Sequence, residues 1–132
     1  MRVERFEDLL AWQHGRNLCR DVYLLTMRNP FVRDFALRDQ IRKSAISIPS
    51  NVAEGFERFR PGEFHQFLSI AKGSAGELRT QLYIASDIGY IDDPTRVEML
   101  NRAEETARII GALRRSIESR KNSALSTQHS AL

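Results

Sequence analysis

A single cysteine in 132 residues, Cys19, excludes an internal disulfide framework and any zinc cluster built on cysteines. No apolar run approaches the ~20 residues of a membrane-spanning helix, so no membrane partner is expected. The N-terminal MRVERFEDLL carries charges where a signal peptide needs an apolar stretch, and a reducing cytoplasm is the expected location. Seven glycines and four prolines are few for a strand-and-turn protein of this size. Neither sign of charge dominates: 20 Lys+Arg against 17 Asp+Glu leave a net +3. With 42% hydrophobic and 28% charged residues, the composition is globular rather than disordered. The length fits one domain.

What is present is helical periodicity, in four segments, without sustained period-2 alternation. The first covers about residues 7–28, with Leu9, Trp12, Cys19, Val22, Tyr23 and Thr26 on one stripe. Asn29-Pro30 ends it, because proline disfavours helical geometry in the residue before it. The second covers about 35–59, with Leu37, Ile41, Ala45, Ile48, Val52 and Phe56 in a row. Pro49 lies inside that row and cannot donate to the carbonyl of Ala45; the spacing predicts a kink, or alternatively two short helices. The third covers about 63–88, with Phe64, Phe67, Leu68, Ala71, Ser74, Ala75, Leu78, Leu82, Ala85 and Ile88 on its stripe. Gly89 suits the left-handed residue after a helix. Asp92-Asp93-Pro94 caps the fourth, which runs to about 120 on Val97, Leu100, Ala107, Ile110, Leu113 and Ile117. Short connections make sequential helices antiparallel neighbours, giving an all-α, up-down-up-down four-helix bundle over 1–120. The Ser-rich tail, 121–132, is expected to be disordered.

Two stretches are rich in small residues: 44–55 (SAISIPSNVAEG) and 70–78 (IAKGSAGEL). Glycine inside a helix costs about 1 kcal/mol relative to alanine, so Gly55, Gly73 and Gly76 suggest close approach of a neighbouring helix. Polar groups sit in the same stretches, and a buried polar group must find a partner. A hydrogen-bonded network of Ser44, Ser47, Asn51, Glu54, Ser74 and Glu77 is therefore expected. It would fix helix register around Pro49.

These stretches, together with 8–13 (DLLAWQ) and Gln40-Ile41-Arg42, closely resemble the bacterial four-helix bundle proteins of the 23S rRNA intervening-sequence protein family, often labelled S23 ribosomal proteins. The resemblance covers about 6–117. Its specific element is SIPSNVAEG (47–55) at this distance from the GSxxEL pattern of 73–78. Gly76 stands where relatives more often carry a larger residue. The resemblance implies a left-handed bundle, assembly as a ring-like homopentamer, a basic surface suspected of contacting RNA or DNA, and no enzymatic activity. Some members lie within intervening sequences of rRNA genes. A distant relative assists the reverse transcriptases of diversity-generating retroelements.

Catalytic chemistry finds little foothold. A di-iron bundle needs Glu-x-x-His pairs, and none of His14, His65 and His129 has Glu three residues before it, so no metal and no cofactor are expected. Cys19 falls on an apolar stripe, where a thiol is inert. There is no G-x-S-x-G elbow and no phosphate-binding loop. The enzyme alternative is a small site around Asn51, Glu54 and Glu77, with the two carboxylates doing acid–base work in a pocket beside Pro49.

Arginine outnumbers lysine 17 to 3, and arginine binds phosphate bidentately. Arg108, Arg114, Arg115 and Arg120 crowd the end of the fourth helix and are the candidate nucleic-acid contacts. The competing reading is ordinary i,i+4 pairing, Glu104 with Arg108 and Arg114 with Glu118. Trp12, Phe31, Phe35, Phe59 and Phe64 lie near helix ends, where they either plug the bundle or form an oligomer interface. The sequence thus points to a non-enzymatic, oligomeric bundle protein with RNA or DNA as a candidate partner. Ser47, Pro49, Asn51, Glu54, Gly55, Gly73, Ser74 and Glu77 are its expected structural motif.

Overall fold

The computed structural model describes residues 3–131, with side chains through 119. Four helices follow one another: α1 (Leu10–Thr26), α2 (Phe35–Glu57), α3 (Pro61–Asp87) and α4 (Asp93–Ala131). One-turn 3-10 segments, Phe6–Asp8 and Phe31–Arg33, precede α1 and α2. α2 packs extensively on α3, and α3 on α4; α1 lies against α2 and more lightly against α4. This closes a four-helix bundle. α2 runs unbroken with Pro49 inside it, which removes the two-helix alternative. The helical backbone of α4 runs past residue 120, where the sequence reading places a disordered tail. The side chains of that segment lie outside the described residues.

The ends are set by local chemistry. Leu37 N–H donates to the Asp34 carboxylate at 3.1 Å, capping α2. Pro61 opens α3 in its first turn, where a missing N–H is harmless. At the other end of α3, Gly89 has φ +83°, Tyr90 N–H donates to the Ala85 carbonyl (2.9 Å) and Gly89 N–H to that of Ser86 (3.1 Å). These bonds make a Schellman ending, as expected of Gly89. Thr95 N–H donates to the Asp92 carboxylate at 2.9 Å and caps α4.

The core is aliphatic. Ile41, Ala45, Ile48 and Val52 of α2 are fully buried against Leu68, Ala71, Ala75, Leu78, Leu82 and Ala85 of α3 and Ile110 of α4. Each large side chain so buried contributes about 1.5–3 kcal/mol. The expected stripes of α2 and α3 hold here, although Leu37, Phe56, Phe64 and Phe67 are only partly covered and Ile88 is exposed.

The stripe of α1 differs from its expectation. Ala11, Gly15, Leu18, Val22 and Leu25 face inward, while Trp12 and Cys19 are half-buried and Tyr23 is exposed. At Gly15 a small residue takes the inner position because α1 and α2 come close there. A Cβ on Gly15 would fall 3.1 Å from Ile48 Cγ2 and 3.3 Å from Pro49 N. The large rings take the edges, with Phe6 packed on Trp12 at 5.3 Å and the Arg42 guanidinium 4.7 Å over Tyr23. Asp21 of α1 pairs with Arg102 of α4. Partial burial by itself would raise the Asp21 pKa, and hydrogen bonds from Arg102 and Arg20 hold it below the ordinary carboxylate value.

At Gly55, α2 and α3 are in close contact. A Cβ there would fall 2.7 Å from Phe67 Cβ and 3.0 Å from Phe64 Cδ1. Gly55→Ala should lower the unfolding free energy by about 1–3 kcal/mol through overpacking, against a helix-propensity gain of about 1 kcal/mol. Urea denaturation measures the balance, and a raised midpoint would contradict the contact.

Asp34 supplies a pH prediction. Its carboxylate accepts from Leu37 N–H and, at 2.9 Å, from Tyr90 O–H, which lowers its pKa. A lowered carboxylate pKa gives stability that is present above the unfolded value, about 3.9, and is lost as pH falls through the folded one. Wild type should therefore exceed Asp34→Ala in denaturation midpoint at about pH 7, and the gap should narrow toward about pH 2.5.

Candidate functional site

The small-residue motif builds a polar contact smaller than the one expected. Ser47 Oγ of α2 lies 2.8 Å from Ser74 Oγ of α3. Asn51 Nδ2 donates to the Ser47 carbonyl at 2.7 Å and to Ser47 Oγ at 2.8 Å. Asn51 and Ser47 lie one turn apart on α2, on either side of Pro49, so the amide adds a side-chain tie across the proline. Ser44 is buried nearby but is not part of this contact.

The carboxylates do not join it. Glu54 pairs with Arg58 at 2.7 Å on the surface, and Glu77 is exposed. Ser74, Ala75 and Leu78 define the inward face of α3, and a residue 100° or more around the helix points away. Gly73 and Gly76 are corrected for the same reason. Both are exposed, and a Cβ on either would meet nothing within 4 Å. Of the three glycines read as contacts, only Gly55 is one; Gly15, not singled out in the sequence, is another.

A cavity of about 340 Å3 lies beside Pro49, lined by Phe6, Trp12, Arg16, Cys19, Ser50 and Ala53. It holds none of Asn51, Glu54 and Glu77, so the acid–base grouping does not assemble there. Burial raises the Cys19 pKa and keeps the thiol protonated, which makes it a poor nucleophile. Among the described residues, no three His, Cys, Asp or Glu side chains gather as metal ligands. No described helix is long and apolar enough to cross a membrane.

The cations behave differently. Arg108 and Arg115 of α4 line a groove of about 340 Å3 with Lys72 and Arg79 of α3, Glu104, Ala107 and Gly111. Arg114 points elsewhere and donates to Ser69 Oγ at 3.3 Å. Arg120 lies outside the described side chains. The simple i,i+4 pairing does not form. Glu104 binds Arg79 across the helix interface at 3.0 Å, and Glu118 approaches His65 at 3.6 Å. Among the described residues, Arg108, Arg115 and Lys72 therefore have no carboxylate partner within salt-bridge distance. Lys72 and Arg79 were missed in the sequence, where their only signal is a seven-residue spacing matching that of Arg108 and Arg115.

The Ser47–Ser74 contact yields a stability prediction. A double-mutant cycle of Ser47→Ala and Ser74→Ala should give a coupling of about 0.5–1.5 kcal/mol, and Asn51→Ala alone a loss of about 1–2 kcal/mol. A coupling of zero would mean the two hydroxyls do not meet in solution.

A search of curated proteins gives no match. Among solved structures, the chain is similar to a protein of unknown function from the S23 ribosomal protein family of Bacteroides thetaiotaomicron. The TM-score is 0.72 at 19% identity, over 79% of this chain and 97% of that one. At that identity the likeness shows a shared fold. The family model described as 23S rRNA-intervening sequence protein matches residues 7–112, which include both small-residue stretches. With four helices in the matching arrangement and most of its length matched, the chain belongs to the 23S rRNA-intervening sequence protein family.

Proposed function

We propose that this chain is a non-enzymatic bundle that assembles with copies of itself, as a homopentameric ring, and contacts RNA or DNA through its α3–α4 face. The observation that carries the nucleic-acid part is the gathering of Lys72, Arg108 and Arg115 in one groove without carboxylate partners. Nucleic-acid affinity comes largely from cations placed against phosphates, and unpaired cations lose no partner on binding. Five copies at +3 each would carry +15 around one ring, concentrating the field that each chain supplies weakly. A cytoplasmic setting belongs to the same reading.

Self-association is supported by apolar surface that the bundle leaves open. Phe31 is fully buried and plugs the bundle, but Phe35 is 64% and Phe59 80% exposed. On α3, Ile70, Ile84 and Ile88 are exposed at helical spacing, with Gly73 among them. Gly73, exposed mid-helix with nothing beside it within the chain, suits the close approach of another helix. The enzyme alternative has no comparable support, since Glu54 and Glu77 stand apart on the surface and Asn51 is tied to Ser47.

Sedimentation velocity at micromolar concentration should give a multiple of 15.2 kDa, fivefold for the ring. Ile84→Arg should shift that mass toward the monomer without loss of helicity. A clean wild-type monomer would refute the assembly. Affinity for RNA or DNA should fall steeply between low and moderate salt; a flat response would refute the electrostatic contact.

A further inference from the structure

We propose that the groove over Gly111 seats one backbone phosphate of a nucleic acid, held by Lys72 from α3 and by Arg108 and Arg115 from α4. This rests on the nucleic-acid reading above and gives it an address.

The seat lies where side chains of two helices meet over the backbone of Gly111. Arg108 and Arg115 lie one helical turn to either side of Gly111. A Cβ on Gly111 would fall 3.5 Å from Arg115 Nη1 and 3.9 Å from both Cε and Nζ of Lys72. An ammonium and a guanidinium from two different helices thus reach the same point above bare backbone. On α3, Gly76 lies between Lys72 and Arg79 and also leaves open space. The groove itself, about 340 Å3, is lined from α3 by Lys72 and Arg79.

The charge balance favours an anion. Glu104 is the carboxylate in the lining, and Arg79 neutralises it at 3.0 Å. The remaining lining charges, on Lys72, Arg108 and Arg115, are all positive, and they repel one another until an anion enters. A phosphodiester presents two unesterified oxygens. The guanidinium fork suits them as a pair, and the ammonium adds a point charge. Arg108 and Arg115 are seven residues apart, roughly 10 Å along the helix, and with Lys72 both line the one groove between them.

The test is fluorescence anisotropy with the full chain and labelled single-stranded RNA or duplex DNA of about 20 nucleotides, across a salt series. Gly111→Glu puts a carboxylate into the seat and should weaken binding about tenfold, while Gly111→Ala should bind as wild type. Lys72→Gln/Arg108→Gln should lower the slope of log affinity against log salt by about 0.7–0.9, the share of one phosphate contact. The control Arg33→Gln/Lys43→Gln removes the same charge outside the groove and should change the slope less. Circular dichroism and sedimentation confirm folding; should Gly111→Glu unfold, the paired double variants decide. Equal losses in groove and control variants overturn the seat and leave the nucleic-acid reading standing. Wild type that binds neither RNA nor DNA at any salt overturns both.

Discussion

The contact of bare backbone at Gly55 with Phe64 and Phe67 sets how near α2 and α3 come, and the rest of the bundle is arranged around that distance. With the helices this close, Ser47 and Ser74 meet hydroxyl to hydroxyl. The aliphatic rows of both helices are then shut off from solvent: Ile48, Val52, Leu68, Ala71 and Ala75 are all fully buried. Gly15 plays the same part between α1 and α2, against Ile48 and Pro49. α2 is thus clamped on two sides by neighbours that approach its backbone. This explains how a proline inside it can be accommodated: the turn it weakens is packed against α1 and tied across by Asn51.

The position of α3 then decides the electrostatics of α4. Turning Ser74 and Leu78 inward leaves Lys72 and Arg79 on the flank next to α4. Arg79 takes Glu104 from the partner that helical spacing alone would give it. The α3–α4 groove is therefore a product of packing. The same hydrophobic registry that buries Ile110 aligns the cations around Gly111.

Much of this was legible in the sequence. The aliphatic rows of α2 and α3 repeat at i, i+4, i+7, and that periodicity is the same information that packing uses. Gly89 and Asp92 were readable because caps are local chemistry. The inner face of α1 was legible only in part: Val22 and Thr26 are inward as expected, but Ala11 and Gly15 carry little hydrophobic signal, and Trp12 and Tyr23 pack at the edges instead. The outward turn of Gly73, Gly76 and Glu77 was hidden for a related reason. A small-residue stretch says that space is available without saying on which side of the helix. Half of the cation site was legible as Arg108 and Arg115. Its other half, Lys72, depends on which faces of α3 and α4 meet, and no local pattern encodes that.

The exchange of ion-pair partners at Glu104 has a thermodynamic meaning of its own. An α4 helix standing alone would offer Glu104 to Arg108 at the favourable i,i+4 spacing and quench its own charge. Docking against α3 diverts the carboxylate to Arg79 and leaves Arg108 bare. Tertiary packing thereby unmasks a cation, so whatever loosens α3 from α4 also frees Glu104 for Arg108 and discharges the groove.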